Sequence, residues 1–299
     1  MKRKIKIAVM GGDLRQFVVA RELAKSYDVS VWGAWGSPQT DGILIHTAPE
    51  QAIDEAVAVI LPLPASTDGI TLNCPGEMSC NRIKLAKIVG LMREGMILVG
   101  GKLPESVIEL ARSKNIKCFD YFDSETLQIK NAYVTAEAAI SIAMNSLTKS
   151  VADSRFIITG YGRIASQLAE LLRRLGASVT IAARKESDRA YAECIGGESI
   201  PIRSATERGK WYDAITDGYD IIFNTVPNWI FDRDFLEKMN KRIFIIDLAS
   251  APGGVDVCAA KELSANVLWA TSLPGKYAPE SAGKIISDCI INIFEEVGL

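Results

Sequence analysis

The segment FIITGYGRIASQLAELLRRLGASVTIAAR, residues 156–184, joins an apolar run, a glycine loop, an amphipathic stretch and a second apolar run. The first run supplies a strand. Gly160 permits a tight turn, Gly162 lets backbone approach a pyrophosphate with no side chain between, and Ala165 is small enough for close helix–strand packing. Tyr161, Arg163 and Ile164 complete the loop. Its helix start offers N–H groups and a positive dipole end to phosphates. The motif alone is common; its place between a strand and an amphipathic helix, with a second strand ending about 20 residues on, is what marks a dinucleotide site. At that strand end, sites for NAD carry an acid for the ribose 2′-hydroxyl. Here stand Arg184 and Lys185, with Ser187 close behind. A guanidinium pairs with a 2′-phosphate that an acid would repel, so the pattern favours NADP. The plainer reading of Arg184 is a solvated residue with little selectivity. Ligands in such sheets lie outside the carboxyl ends of strands. That topology assigns Asn224, Thr225, Val226 and Pro227, and Leu248, Ala249 and Ser250, to the nicotinamide side.

The first half offers different chemistry. In VMGGDLRQ, Gly11 and Gly12 open a helix after a strand, but Asp13 sits where a phosphate would go. Asp13 reads more economically as a helix N-cap. Arg15 and Gln16 on the first turn would then face a carboxylate-bearing substrate, unless Arg15 is merely a surface residue. Ser66 and Thr67, in the loop LPLPASTDGI, form another candidate substrate wall. Backbone at Gly253, Gly254 and Gly275 could present N–H nests to carboxylates. Glu137 and Asp13 are the candidate proton-transfer groups, with Thr135 beside Glu137 at the start of a helix. Glu137 could equally complement that helix's dipole. His46 is the only histidine, and no acid neighbours it in GILIHTAPEQ. A structural role follows, and a hydroxy-acid dehydrogenase that uses histidine as its base is disfavoured. The six cysteines are scattered without metal or redox spacing, so they read as thiols, and no metal site is expected.

Positioning these residues requires alternating strands and helices. Strands are expected at 5–10, 28–32, 57–61, 96–100 and 116–121, with helices near 14–25, 81–94 and 104–114. A second series has strands at 155–159, 178–183, 219–223, 243–248 and 266–270, with a helix over 163–175. The pattern predicts an α/β protein of two Rossmann-like domains with parallel sheets and an interdomain cleft. A substrate-side domain spans 1–132 plus 276–299, a connecting helix spans 133–150, and the cofactor domain spans 151–275. The C-terminal helix is expected to return to the first domain, because the second series is complete by residue 270. The apolar face of the connecting helix allows a homodimer.

Composition narrows the partners. Across 299 residues, 34 basic and 36 acidic side chains leave a net charge of -2, which argues against nucleic acid or an anionic membrane. No apolar run reaches membrane-span length, and the basic N-terminus stops at glycine too soon for a signal peptide, so a cytoplasmic protein is expected.

VMGGDLRQ, ILPLPAST, YVTAEAAI, GYGRIASQLA, VTIAAR, NTVP, DLASAPGGVD and LPGKYAPESAG occur in that order over essentially the whole chain. This set resembles the A subunit of dipicolinate synthase and, more distantly, alanine dehydrogenase and transhydrogenase. The resemblance implies a protein that works with a flavoprotein B subunit in the mother cell of sporulating bacteria. The pair would convert the product of dihydrodipicolinate synthase to dipicolinate, using an NADP-binding second domain and a substrate-side first domain. Ala251 stands where the family often carries a basic residue, and Ser281 where threonine is common. Two rivals remain open: an amino- or hydroxy-acid dehydrogenase of the alanine dehydrogenase type, and a non-catalytic NADP-binding subunit of a flavoprotein complex.

Overall fold

The computed structural model describes residues 5–33, 42–74, 82–202 and 208–299. The chain forms two compact units, Met1–Asn131 with Pro274–Leu299, and Ala132–Leu273. Both are parallel sheets covered by helices, as the alternating pattern predicts.

In the first unit, β1 (Lys6–Met10), β2 (Asp28–Trp32), β3 (Ile43–Ile45), β4 (Ala58–Ile60), β5 (Ile97–Gly100) and β6 (Lys117–Asp120) lie in the order β3-β2-β1-β4-β5-β6. Helices α1 (Leu14–Ala24), α2 (Pro49–Ile53), α3 (Leu85–Leu91) and α4 (Glu105–Ser113) connect them. Period two sorts the strand side chains between two cores. Ile7 and Val9 join Val19 and Leu23 of α1 on one face, and Ala8 and Met10 join Ile88 and Val107 on the other. Helices therefore cover both faces, and every residue of β4 and β5 is buried.

The last helix of the chain, α12 (Pro279–Val297), adds Ile286, Ile290 and Phe294 to the core beside α1. Gly283 sets how closely those helices approach. A Cβ there would fall 2.6 Å from Val18 Cβ and 2.7 Å from the Arg15 carbonyl oxygen. Backbone cannot yield as a side chain can. Gly283→Val is therefore expected to cost at least about 2 kcal/mol, read as a lower urea midpoint with an unchanged slope. A midpoint equal to the wild type would refute this account of the α1–α12 contact.

The 22-residue helix α5 (Glu125–Ser146) starts and ends earlier than the expected 133–150. Residues 125–132, ETLQIKNA, contain no glycine or proline to stop it, and Glu125 suits the first turn. Its upper part contributes Ala136, Ala139 and Ala143 to the core of the second unit.

The second unit holds β7 (Arg155–Thr159), β8 (Ser178–Ala183), β9 (Glu198–Pro201), β10 (Ile221–Asn224), β11 (Phe244–Asp247) and β12 (Val267–Trp269), in the order β12-β11-β10-β7-β8-β9. Counted within each unit, both sheets have the doubly wound order 3-2-1-4-5-6. Helix α6 (Arg163–Arg174) buries Ala165, Leu168, Ala169 and Leu172, one stripe at helical spacing. It stops at Gly176, whose φ of 84° lets the Gly176 and Ala177 amides satisfy the Arg173 and Leu172 carbonyls. Helices α7 (Glu186–Cys194), α8 (Arg208–Ile215), α9 (Arg233–Lys238) and α10 (Val257–Glu262) complete the unit; α11 (Leu273–Tyr277) follows and from Pro274 on belongs to the first unit.

The sequence reading missed α2, β3, α7, β9 and the short helices α8 to α11. These elements are brief or half-exposed, so period and apolarity are weak there; Leu44 and Ile45 of β3, for example, are exposed. Among the described residues Cys118, Cys194, Cys258 and Cys289 are thiols as expected, whereas Cys74 is disulfide-bonded; Cys80 lies outside the described residues. Among the described residues no helix is long and apolar enough to cross a membrane, and no group of histidine, cysteine and acidic side chains could hold a metal ion.

Candidate functional site

In the second unit the strand order reverses between β7 and β10, and the glycine loop leaves β7 at that point. Gly160 has φ 85°, and a Cβ on it would meet Thr225 Oγ1 at 2.8 Å and Val226 Cγ2 at 3.1 Å. The loop from β10 is pinned in turn, since Thr225 Oγ1 donates to the Thr159 carbonyl at 2.7 Å. Gly162 is the N-cap of α6, and nothing lies within 4 Å of where its Cβ would be. The helix ladder begins with Ser166 N to Gly162 O, so the N–H groups of the first turn, including those of Ile164 and Ala165, point out of the helix start. Tyr161 is half-buried, and desolvation, with the charge of Asp188, raises its phenol above the ordinary range.

Arg184, Lys185 and Ser187 follow β8 and are all exposed. Arg189 Nη1 donates to the carbonyls of Ala183 and Arg184, both at 3.1 Å, fixing the turn from which these side chains leave. Among the described residues, Arg184 and Lys185 have no carboxylate within ion-pair distance.

A buried polar network, unforeseen as a unit, joins the strand ends. Asn224, 0% exposed, meets its full hydrogen-bonding capacity. Its Oδ1 accepts from Thr159 Oγ1 at 2.6 Å and Val226 N at 3.1 Å, and its Nδ2 donates to Asp247 Oδ1 at 2.7 Å and Val226 O at 3.1 Å. Asp247, 1% exposed, also accepts from Ala249 N at 3.0 Å and Gly254 N at 2.8 Å. Trp269 Nε1 donates to the Ala249 carbonyl at 2.9 Å. Two expectations change here. The Asn224 side chain, expected on the nicotinamide side, braces the loops from inside, and its carbonyl is taken by Leu248 N. The nest expected at Gly253 and Gly254 is already engaged: Gly253 N bonds the Ser250 carbonyl, and the anion on Gly254 N is Asp247. Pro227 lies just past this network, and Leu248 is buried below Ser250, which is exposed.

The corresponding loop of the first unit is built in another way. Gly11 and Gly12 take φ 62° and 89°, and the Asp13 side chain caps α1 by accepting from Arg15 N at 3.0 Å. That carboxylate occupies the helix start that Gly162 leaves open in the second unit. Arg15 and Gln16 turn inward, against the expectation that they project to a substrate. Arg15 grips Asp13 through Nε and Nη2, the latter at 2.8 Å, and donates from Nη2 to the Leu63 carbonyl at 2.7 Å. Gln16, 1% exposed, donates to the Ile60 carbonyl at 3.2 Å. Gly275 lies over this pair, where a Cβ would come within 2.8 Å of both Arg15 Nε and Asp13 Oδ2. Ser66 Oγ donates to Asp68, whose carboxyl is held far below its usual range by amide and hydroxyl donors from Thr71, Ile70 and Ser66. Thr67 is exposed beside it. On α5, Thr135 is buried and Glu137 is exposed. His46 sits 3.1 Å from Ser30 Oγ, and burial, with the charge of Lys6, pushes its imidazole below the ordinary value.

Two doubly wound units, each with a glycine turn at its switch point, define a protein of double Rossmann type. Comparison with known proteins makes the likeness particular. Residues 6–122 match the family model described as the N-terminal domain of the dipicolinate synthase A subunit. The A subunit of dipicolinate synthase from Bacillus subtilis (strain 168) is 27% identical over 98% of this chain and 97% of its own. The crystal structure of dipicolinate synthase, A chain, from Bacillus subtilis superposes with a TM-score of 0.82 at 25% identity, covering 100% of this chain and 98% of that one. Transhydrogenase from Sinorhizobium meliloti shares the fold at a TM-score of 0.69 and 14% identity, over 98% of this chain and 94% of that one. The resemblance to the dipicolinate synthase A subunit read from the motifs therefore holds along the chain, and the more distant likeness holds at the level of fold.

Proposed function

We propose that this chain is an NADP-dependent oxidoreductase that forms dipicolinate from a partly reduced pyridine dicarboxylate, together with a flavoprotein subunit. The observation that carries the reading is the open start of α6 at Gly162, in a chain that matches a dipicolinate synthase A subunit end to end. The cradle fits a dinucleotide, since Gly160 has no room for a Cβ and Gly162 presents bare backbone. Amides of Gly162, Arg163, Ile164 and Ala165 would hold the pyrophosphate, and Arg184, Lys185 and Ser187 the 2′-phosphate. Backbone at Thr225, Val226, Leu248 and Ala249, with Ser250, would flank the nicotinamide. NADP+, when bound, supplies the hydride acceptor.

On the substrate side, the exposed Thr67 hydroxyl would be the donor to a carboxylate, since that of Ser66 is spent on Asp68. The Asp13–Arg15 pair shapes that surface and does not meet the substrate as a free charge. Among the proton-transfer candidates Asp13 is engaged as cap and counter-ion, so the role falls to Glu137, which is exposed. Aromatisation drives the step, which lightens the demand on acid–base help and accords with a structural His46. On this reading the protein works in the cytoplasm of the mother cell.

The test incubates the purified chain with freshly generated dihydrodipicolinate synthase product and NADP or NAD, with and without the flavoprotein, and follows pyridine dicarboxylate. Product that depends on this chain and on NADP is expected. No product in any combination would sink the proposal, and tight NADP binding without turnover would favour the non-catalytic subunit.

A further inference from the structure

The Asp247 carboxylate is an anion without a cation. Its oxygens accept from three neutral donors, Asn224 Nδ2, Ala249 N and Gly254 N, at 2.7, 3.0 and 2.8 Å. Three donors converging on both oxygens suit a carboxylate, which only accepts. Among the described residues no lysine or arginine pairs with it. A neutral asparagine would carry two of the same hydrogen bonds at less desolvation cost, so the charge itself calls for a purpose.

Its place in the sheet supplies one. Asp247 ends β11 and is in register with Asn224, the last residue of β10, which is in register with Thr159 beside the glycine loop. A dinucleotide laid across the switch point sends its adenosine half toward β8, where Arg184 stands, and its other half toward β10 and β11. The nicotinamide ring is cationic only when oxidised. A fixed buried anion on that side of the sheet acts on one redox form and leaves the other nearly untouched.

We infer that Asp247 is an electrostatic positioning residue that biases the site toward the oxidised cofactor, favouring entry of NADP+ and departure of NADPH. The inference rests on the dinucleotide site proposed above, and its experiment separates the two. NADP+ and NADPH affinities are measured by calorimetric or fluorescence titration of the wild type, Asp247→Asn, Asp247→Ser and Thr159→Val, with thermal unfolding alongside. Asp247→Asn removes the charge and keeps the shape, whereas Asp247→Ser leaves room for water at the same donors. Thr159→Val loosens the network and keeps the charge.

The wild type is expected to bind NADP+ more tightly than NADPH. Either Asp247 variant should shift the ratio of the two dissociation constants toward NADPH by about tenfold, and Thr159→Val should weaken both forms alike. A purely structural role would move both affinities together in every variant, and that result overturns the inference. So does a wild type that prefers NADPH, whatever the variants do. A wild type that binds neither form refutes the dinucleotide site itself.

Discussion

Arg184→Asp is expected to lower NADP affinity by about two orders of magnitude while NAD binding holds or improves. The guanidinium stands just past the end of β8, where the proposed site would place the ribose of a dinucleotide. It is exposed and has no carboxylate partner among the described residues, so its charge is available to a phosphate. Substitution removes a charge-assisted bidentate pair and places a like charge against the 2′-phosphate. Exposure tempers each contribution, since water screens both. The opposite sign for NAD follows from the same geometry, because an acid there accepts hydrogen bonds from a 2′-hydroxyl. Titration of each dinucleotide against wild type and variant checks it. An unchanged ratio of NADP to NAD affinity would return Arg184 to the role of a solvated strand-end residue.

A second large effect is expected at Gly254. Its Cβ would lie 2.0 Å from Asn224 Nδ2 and 2.7 Å from the Val226 carbonyl, inside a network that is buried and fully paired. Gly254→Ala must either expel the 254 loop or break the hydrogen bonds of Asn224, leaving buried donors unmet. A loss above about 3 kcal/mol, or a drop in Tm of roughly 10 °C, should follow. Folded protein that survives should bind NADP poorly, because Thr225, Val226 and Ala249 are all held by this network. A Tm within a degree or two of the wild type would show that the loop is not braced in this way.

The two predictions stand on different kinds of information. The place of Arg184 was legible from the chain, because it depends on local order: strand, glycine loop, helix, strand, then a cation. The same holds for Gly160 and Gly162 and for the Asp13 cap, since turns and caps are set within a few residues. The alternation of buried strands and amphipathic helices foretold two doubly wound sheets for a similar reason. Where elements were short or half-exposed, as at β3, β9 and α8, the local pattern was too faint to read.

Gly254 and Asn224 were legible only in part. NTVP and DLASAPGG mark strand ends in sequence, but the bonds that define their roles join Asn224 to Thr159 and to Asp247, 65 and 23 residues away along the chain. Those contacts exist because parallel pairing places three strand ends side by side. From sequence, an asparagine at a strand end faces a ligand as readily as a neighbouring strand. The glycines after it read as an anion nest without revealing that the anion is the protein's own Asp247. Arg15 follows the same rule through its bond to the Leu63 carbonyl, 48 residues away along the chain. Local order thus determined the two sheets, the glycine loop and the cation after β8, because each is written within a turn or two of chain. Which polar groups face a ligand and which satisfy one another was decided by tertiary structure, because only strand register brings together groups tens of residues apart.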